Sequence, residues 1–197
     1  MSDVSPADDN TLATWRDTLI DVVMRKGYER RDQPFELSSG ELSHDFVDGK
    51  RALAAGADLA LACRYMVELA RRAEIPFDAA GGLTMGADQF AHGIAVLTGC
   101  DWFVVRKQPK GRGTNKLVEG ASVEGRRALV LEDVVTTGAS ILKAVDAIEA
   151  EGATVVGAAT LVDRGEVTGA AFAARGIWYG SVLTYRDLGI VPVGGSA

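Results

Sequence analysis

Apolar residues in the first part of the chain recur at helical spacing and then alternate with polar ones. The apolar positions that share one helical face are Leu12, Trp15, Leu19, Val22 and Val23. They predict a helix over residues 11–25, which Gly27 ends. Residues 34–47 alternate as a small β-hairpin does, with a turn at residues 38–40. Because this opening part does not follow the pattern of the rest, we expect it to form a separate lobe.

From Gly56 onward, helix-like and strand-like segments alternate along the chain. The first of these helices carries its apolar residues at Leu59, Cys63, Met66, Leu69 and Ala73. Two more helices are predicted, over residues 87–97 and 139–150. Apolar runs predict strands over residues 77–80, 102–105, 128–131, 153–162 and 177–183. Strands joined by helices run parallel, with helices on both faces. The expected fold is therefore α/β, with a lobe of residues 1–55 and a core of residues 56–197.

Three segments of this core are expected on one rim of the sheet. In open parallel sheets, ligands bind beyond the carboxyl ends of the strands. The segments that follow the strands at that end are residues 81–86, 107–119 and 132–138. The sequence therefore predicts that any ligand site is built from these three loops.

Composition narrows the classes of function. The 197 residues are 47% hydrophobic and 24% charged, which is ordinary for a globular domain and argues against disorder. The formal net charge of −6 disfavours a nucleic-acid partner, because phosphate backbones attract basic surfaces. No stretch is apolar for long enough to cross a bilayer, so no membrane partner is expected.

The N-terminus and the cysteines favour the cytoplasm. Residues 1–10 are polar and acidic and lack the basic and then apolar layout of a secretory signal. Cys63 and Cys100 form no CxxC pair and lie in apolar surroundings. We expect two reduced thiols rather than a disulfide, and a cytoplasmic location.

The most informative segment is an apolar strand followed at once by acidic and then hydroxyl residues. Glu132 and Asp133 follow the strand, and residues 136–140 open the next helix. Two adjacent carboxylates at the end of a buried strand are costly unless they meet cations or hydroxyl donors. The amides and positive dipole of a helix start suit a phosphate dianion. The pattern suits a ribose 5-phosphate; the alternative is a polar strand exit with Thr137 serving only as helix N-cap.

Residues 129–138, Leu-Val-Leu-Glu-Asp-Val-Val-Thr-Thr-Gly, resemble the phosphoribosyl pyrophosphate (PRPP) signature of type I phosphoribosyltransferases. The resemblance implies a parallel sheet flanked by helices with a small N-terminal hood lobe. It implies that Glu132 and Asp133 engage the ribose hydroxyls, directly or through Mg²⁺. It also implies a set of residues that wrap the 5-phosphate: Thr136, Thr137, Gly138, Ala139 and Ser140.

A cationic segment, residues 106–116, indicates which branch of the type I phosphoribosyltransferases the chain resembles. Five cationic residues and no acidic one lie between Arg106 and Lys116, and such a loop can neutralise charge on leaving pyrophosphate. A solvated charged loop is the alternative. The segment resembles the catalytic loop of orotate phosphoribosyltransferases, Arg-Lys-x-x-Lys-x-His-Gly. The implied catalytic residues, with Asp133, are Arg106, Lys107, Lys110 and Arg112.

Arg112 stands where that family commonly has histidine. An arginine holds pyrophosphate but does not shuttle protons near neutral pH, so acid–base help from this loop is not expected. In the family the loop reaches into the neighbouring subunit's site, which implies a homodimer. Residues 81–88 also resemble the pyrophosphate-side loop of one branch of the family, which adds Thr84 and Met85 to the PRPP-binding set.

The acceptor side matches the family more loosely. Leu-Ser-Ser-Gly at residues 37–40 resembles its acceptor segment, and Val-Asp-Arg at residues 162–164 resembles the segment whose arginine meets the orotate carboxylate. The implied orotate-binding residues are Ser39, Phe46, Thr137 and Arg164. Glu41 and Asp45 depart from the pattern, and extra carboxylates oppose an anionic acceptor unless they point away.

The sequence therefore predicts a Mg²⁺-dependent transfer of the ribose 5-phosphate of PRPP to orotate, which yields orotidine 5′-monophosphate and pyrophosphate. One alternative keeps the donor and changes the acceptor base, because of Glu41, Asp45 and Arg112. Another is a PRPP-sensing regulator that has lost turnover. The acidic net charge and the absence of an added basic domain count against that regulator.

Overall fold

The computed structural model describes residues 6–37, 40–108 and 116–193. Its first helix, α1 (Asp9–Val22), begins where Asp8 caps it: Oδ1 accepts a hydrogen bond from Thr11 N at 2.7 Å. The helix continues into a π-helical turn, Val23–Gly27. The predicted helix is confirmed, with a start two residues earlier because the cap lies at Asp8.

The hairpin that follows is a separate two-stranded sheet. Its strands β1 (Tyr28–Glu36) and β2 (Leu42–Val47) are antiparallel, with a register shift between Arg30 and Phe35. The hairpin starts earlier than predicted, at Tyr28. We call β1 and β2 the hood hairpin. A short helix, α2 (Gly49–Ala52), leads from it to the core, and Asp48 caps it by accepting from Lys50 N at 3.0 Å.

The core is a six-stranded sheet in the order β5-β4-β3-β6-β7-β8. Its strands are β3 (Ala79–Leu83), β4 (Asp101–Val105), β5 (Val118–Gly120), β6 (Arg127–Val135), β7 (Thr154–Asp163) and β8 (Trp178–Thr184). All neighbours are parallel except β5, which pairs antiparallel with β4 at one edge. The predicted parallel sheet is confirmed. The edge strand β5 was missed because three residues are too few for a periodic signal.

Helices cover both faces of this sheet, as predicted. They are α3 (Gly56–Arg72), α4 (Asp88–Thr98), α5 (Ala139–Ala150) and α6 (Thr168–Ala173), of which the short α6 was not predicted. Successive residues of a strand point to opposite faces. Leu129 and Leu131 accordingly pack in one core cluster with α1, α3 and α4, whereas Val130 packs in the other with α5 and α6.

Strands β3 and β6 extend three and four residues further at their carboxyl ends than predicted, and the other predicted strand ends of the core sheet differ from the observed ones by at most two residues. Gly81 and Gly82 lie inside β3 and not in a turn after it. Both positions require glycine, because the neighbouring strands leave no room for a side chain. A Cβ on Gly81 would lie 2.0 Å from the Phe103 carbonyl oxygen, and one on Gly82 would lie 2.2 Å from that of Leu131. The strand β6 also runs on to Val135, so Glu132 and Asp133 are strand residues and not loop residues.

The packing bears on the predicted lobes. Leu19 of α1 is fully buried in the core cluster that contains α3, so α1 has no separate core. Within residues 6–37 and 40–55, the hood hairpin alone forms a sheet of its own, and a boundary near residue 55 remains a proposal. Cys63 and Cys100 are free thiols, and burial raises the pKa of Cys63 to about 12. Among the described residues, no helix is long and apolar enough to span a membrane.

Candidate active site

The ends of three neighbouring strands bring the predicted loops to one rim. Leu83 at the end of β3 pairs with Val105 at the end of β4, and Gly82 pairs with Leu131 of β6. The loops are shorter than predicted, because residues 81–83, 118–119 and 132–135 belong to strands. The rim itself is where a parallel sheet places a ligand.

Glu132 and Asp133 lie buried on this rim, with 6% and 8% of their surface exposed. The Glu132 carboxylate lies close to the Asp133 amide, with Oε1 at 3.2 Å from N. Burial, and next the charge of Asp133, raise the pKa of Glu132 well above its ordinary value. Two buried carboxylates thus lie side by side, and a cation or a hydroxyl donor bound between them would lower the free-energy cost of their charges.

Lys50 supplies one such cation, and the sequence analysis missed it. Its Nζ lies 2.9 Å from Asp133 Oδ2, although 83 residues separate the two in the chain. The backbone of α2 approaches closely, since a Cβ on Gly49 would lie 2.8 Å from the Asp133 Cβ. No local motif marks Lys50, because the contact arises only when α2 packs beside β6.

Residues 136–140, which we call the hydroxyl turn, lead from β6 into α5. The N-cap of α5 is Gly138, at φ +78°, and no side chain caps the helix. Thr137 Oγ1 lies 3.5 Å from Ala139 N, at the limit of a hydrogen bond. The hydroxyl turn lines a concave depression formed by residues 134–141. The uncapped amides favour an anion site over the interpretation of Thr137 as a helix cap.

The loop that follows β3, residues 84–87, packs against the carboxylates of Glu132 and Asp133. A Cβ on Gly86 would lie 1.8 Å from Glu132 Oε1 and 2.9 Å from Asp133 Oδ1, so a side chain at this position would have to displace the Glu132 carboxylate. Thr84 donates its hydroxyl to Asp88 Oδ2 at 2.8 Å, and Met85 is 67% exposed. The structure therefore places Thr84, Met85 and the acidic pair on the same rim. Gly86 was not among the predicted site residues, and its only signal in the sequence was a glycine within the resembling motif.

The cationic segment begins at the same rim, at the end of β4. Arg106 Nη1 lies 3.1 Å from Glu119 Oε1, and Arg106 N donates to the Leu117 carbonyl at 2.8 Å. These contacts make the segment the connection of an antiparallel β4–β5 pair. Lys107 is exposed. Lys110 and Arg112 lie outside the described residues, so their roles stay predictions.

Arg164 is the buried cation of the acceptor side. It is 1% exposed, and its Nη2 donates to Ser43 Oγ of the hood hairpin at 2.9 Å. Its Nε is buried with no hydrogen-bond partner in the described part of the chain. Burial lowers the pKa of Arg164, while the nearby Asp45 raises it. A buried guanidinium with an unused N–H is suited to receive an anion.

Asp45, which departs from the family pattern, lies on the same face of β2 as Ser43. It is 3% exposed and accepts hydrogen bonds from Tyr28 OH at 2.9 Å and Arg30 Nη1 at 3.0 Å. The carboxylate does not point out into solvent, and its charge is partly compensated by Arg30. Glu41, the other departure, is exposed.

Phe46 lies on the opposite face of β2 from Ser43 and Asp45, because strand residues alternate. Its ring packs edge-on against Phe35, with centroids 5.5 Å apart, and the Arg31 guanidinium lies 4.6 Å from its centroid. The structure therefore does not bring Phe46 together with Arg164. Ser39, the other predicted acceptor residue, lies outside the described residues.

Comparisons with known proteins agree with this geometry. Residues 62–171 match the phosphoribosyl transferase domain family. An orotate phosphoribosyltransferase of Mycobacterium leprae is 46% identical over 156 residues, which cover 78% of this chain and 86% of that protein.

Two solved structures have the same fold. The Mycobacterium tuberculosis H37Rv orotate phosphoribosyltransferase in complex with PRPP has a TM-score of 0.74 and 41% identity, and the match covers 89% of this chain and 99% of that one. A Corynebacterium diphtheriae phosphoribosyltransferase has a TM-score of 0.79 and 34% identity, over 90% and 99% of the two chains. Fold and rim thus define a phosphoribosyltransferase. The chain belongs to the orotate phosphoribosyltransferase family.

Proposed function

We propose that this protein transfers the ribose 5-phosphate of PRPP to a ring nitrogen of orotate and releases pyrophosphate. The observation that carries the donor assignment is one arrangement on the rim: buried carboxylates beside the uncapped amino end of α5. Carboxylates accept hydrogen bonds from ribose hydroxyls, and helix-end amides bind phosphate. The names of the relatives, and the PRPP complex of one of them, support the same reaction.

In the proposed mechanism the protein mainly positions the reactants. Asp133 and Glu132 hold the ribose hydroxyls, and the hydroxyl turn binds the 5-phosphate, which fixes the anomeric carbon. The bond from that carbon to pyrophosphate loosens first, so positive charge develops on the sugar and negative charge on the leaving group. Arg106, Lys107, Lys110 and Arg112 stabilise the leaving group, in keeping with the charge of the segment.

The donor residues fit a magnesium ion that is bound with the substrate. Among the described residues, no cluster of three or more metal-binding side chains exists. Mg²⁺ commonly binds through one or two carboxylates together with substrate phosphates, and Glu132 and Asp133 are such a pair. We propose that they hold it, directly or through water. When bound, the ion would supply charge stabilisation to the pyrophosphate oxygens.

Arg164 is proposed to bind the acceptor. Its buried Nε has no partner within the described ranges, and an arginine fork suits a planar carboxylate such as that of orotate. Ser39 and Thr137 are proposed as further acceptor residues on the basis of the resemblance alone, whereas Phe46 is not, because it lies on the opposite face of β2. A homodimer in which the cationic segment acts across the interface, and a cytoplasmic location, complete the proposal.

The direct test is to incubate the purified protein with PRPP, Mg²⁺ and orotate, and to follow the loss of orotate absorbance. Turnover is expected, and it should disappear when chelator removes Mg²⁺. Lys110→Ala should lower kcat more than it raises the KM for PRPP. Tight PRPP binding without turnover of any base would show that the protein is a PRPP-sensing regulator and not an enzyme.

A second acceptor is favoured by one observation, the buried Asp45 close to Arg164. A carboxylate at this position repels an anionic base and so weakens its binding, whereas it does not repel a neutral base. Pyrophosphate release with a neutral base, and none with orotate, would select this alternative.

A further inference from the structure

The residues that follow β7 contact both sides of the candidate active site. Arg164 donates its side-chain Nη2 to Ser43 Oγ of the hood hairpin at 2.9 Å. Its main-chain N donates to the Val135 carbonyl at 2.9 Å, just before the hydroxyl turn. One residue therefore joins the acceptor side to the donor side through its side chain and its backbone.

The next residues support the hydroxyl turn itself. Gly165 packs so closely that a Cβ on it would lie 1.9 Å from the Thr136 carbonyl oxygen. Thr168 is fully buried and donates its hydroxyl to that same oxygen at 3.3 Å. Its Cγ2 would also lie 3.1 Å from a Cβ on Gly138. The backbone of the hydroxyl turn thus rests on residues 165 and 168.

Asp163 and Tyr179 hold this segment in place. The Asp163 carboxylate, 8% exposed, accepts from Gly165 N at 2.9 Å through Oδ1 and from Tyr179 OH at 2.8 Å through Oδ2. The Tyr179 ring stacks on the buried Phe172, with centroids 5.2 Å apart and planes 10° from parallel. Tyr179 is therefore a rigid donor, fixed by β8 and α6, to the carboxylate that shapes the turn at residues 163–165.

We propose that Tyr179, through Asp163, is a positioning residue that couples acceptor binding at Arg164 to 5-phosphate binding at the hydroxyl turn. The proposal rests on the proposed function and assigns a role to two residues that the reaction does not otherwise use. Without the Tyr179 hydroxyl, a buried carboxylate keeps one donor fewer and the 163–165 turn loosens. Arg164 lies within that turn and Thr136 packs against Gly165 of it, so binding at both sites should weaken together.

The test compares three variants. Tyr179→Phe removes only the hydroxyl and keeps the ring stack. Thr168→Val removes the contact to Thr136 and also the hydroxyl near Asp163 and Tyr179, but it keeps the hydrogen bond between those two residues. Tyr65→Phe is the control, since Tyr65 is a tyrosine of α3, 5% exposed, that packs in the other core cluster away from the hydroxyl turn. Each is measured for Tm, for kcat and the KM of PRPP and of orotate, and for ribose 5-phosphate affinity by calorimetry.

Tyr179→Phe should raise both KM values about threefold or more, and should weaken ribose 5-phosphate binding by a similar factor. Thr168→Val should raise the KM for PRPP more than that for orotate, because the direct contact to Thr136 is lost in addition to the hydroxyl near Asp163. Tyr65→Phe should leave both KM values unchanged even where its Tm falls. A Tyr179→Phe variant that loses Tm but keeps both KM values, or that changes only one of them, overturns the proposal.

Failure of the proposed function gives a different result. If the wild-type protein binds ribose 5-phosphate but does not use orotate, the acceptor assignment is wrong. The effect of Tyr179→Phe on ribose 5-phosphate affinity then decides the positioning role by itself: weaker binding supports it and unchanged binding rejects it. If the wild-type protein does not bind ribose 5-phosphate, both proposals fall.

Discussion

At the scale of the residue, this site depends on how buried charges are compensated. Asp133 meets Lys50, and Asp45 meets Tyr28 and Arg30, while the buried Nε of Arg164 has no partner among the described residues. Buried polar groups without partners are costly, and where they persist a ligand is a common reason. The contrast between compensated carboxylates and an uncompensated guanidinium supports the proposal that an acceptor anion binds at Arg164.

Replacing Asp45 by asparagine should strengthen orotate binding. The amide still accepts from Tyr28 and Arg30, but the negative charge that acts on Arg164 is gone. We expect the KM for orotate to fall roughly threefold, which corresponds to about 0.6 kcal/mol of interaction free energy. Steady-state kinetics check this, with Asp32→Asn as the control, because Asp32 is an exposed carboxylate of the same hairpin. A higher KM in Asp45→Asn would show that Asp45 helps the acceptor.

Replacing Gly86 by alanine should damage the donor side. A methyl group at 1.8 Å from Glu132 Oε1 forces the carboxylate away from its position on the rim. We expect the KM for PRPP to rise about tenfold, because a small displacement of binding groups is felt strongly in a preorganised site. Gly56→Ala is the matched control, since a Cβ there meets nothing within 4 Å. If the two variants had the same kinetic constants, the assignment of Glu132 and Asp133 to the donor site would be wrong.

At the scale of the element, α1 is tied to α3 by an ionic cluster. Glu68 of α3, 3% exposed, binds Arg71 at 2.6 Å and Arg72 at 2.9 Å. Arg72 in turn donates to the Ala7 carbonyl at 2.9 Å, ahead of α1. The hydrogen bond from Arg71, opposed by burial and aided by Arg72, lowers the pKa of Glu68 to about 2. The cluster therefore attaches the N-terminal segment to the face of the core.

This pKa gives the stability a defined dependence on pH. Glu68 titrates near 4.5 when unfolded and near 2 when folded, so its contribution is present above about pH 4.5 and is lost as pH falls toward about 2. Glu68→Gln should lower the free energy of unfolding by about 1–2 kcal/mol at pH 7, discounted because both arginines are partly exposed. The difference from the wild type should vanish near pH 2. Denaturant unfolding across this range checks it.

Glu149→Gln is the comparison, because its partner Arg175 binds it in a more exposed pair at the surface. That variant should change the free energy of unfolding by at most about 0.5 kcal/mol at either pH. A constant difference between Glu68→Gln and the wild type from pH 7 to pH 2 would contradict the role given to the Glu68 charge.

At the scale of the whole molecule, the cationic segment and the acidic pair are proposed to complete each site from two subunits. The resemblance implies this arrangement, and the exposed position of Lys107 at the rim is compatible with it. If one variant lacks a working segment and the other lacks a working acidic pair, a mixed dimer of the two contains one site in which both parts are intact.

Mixing Lys110→Ala with Asp133→Asn after dissociation and reassociation should recover about a quarter of the wild-type activity, since half of the dimers are mixed and each has one intact site. Each variant alone should have little activity, because Asp133 holds the donor and Lys110 stabilises its leaving group. The activity of the mixture, compared with the sum of the two parts, is the measurement. No gain on mixing would place the segment in the site of its own subunit.

The local sequence determined most of the fold and the donor side. Helical and strand spacing predicted the parallel sheet with helices on both faces, because periodicity reports which side of an element is buried. The helix over residues 139–150 was predicted to the residue, since Gly138 and Gly152 bracket a strong apolar pattern. Glu132, Asp133 and the hydroxyl turn were identified because their chemistry lies in one continuous stretch of chain.

Only the tertiary structure decided what depends on distant segments meeting. Lys50 reaches Asp133, Gly86 closes on Glu132, and Asp45 lies near Arg164 through contacts that no local pattern encodes. Strand ends were misplaced for the same reason, because glycines inside β3 are required by neighbouring backbones and not by a turn. Local sequence thus set the chemistry of each segment, and packing set which segments act on one another.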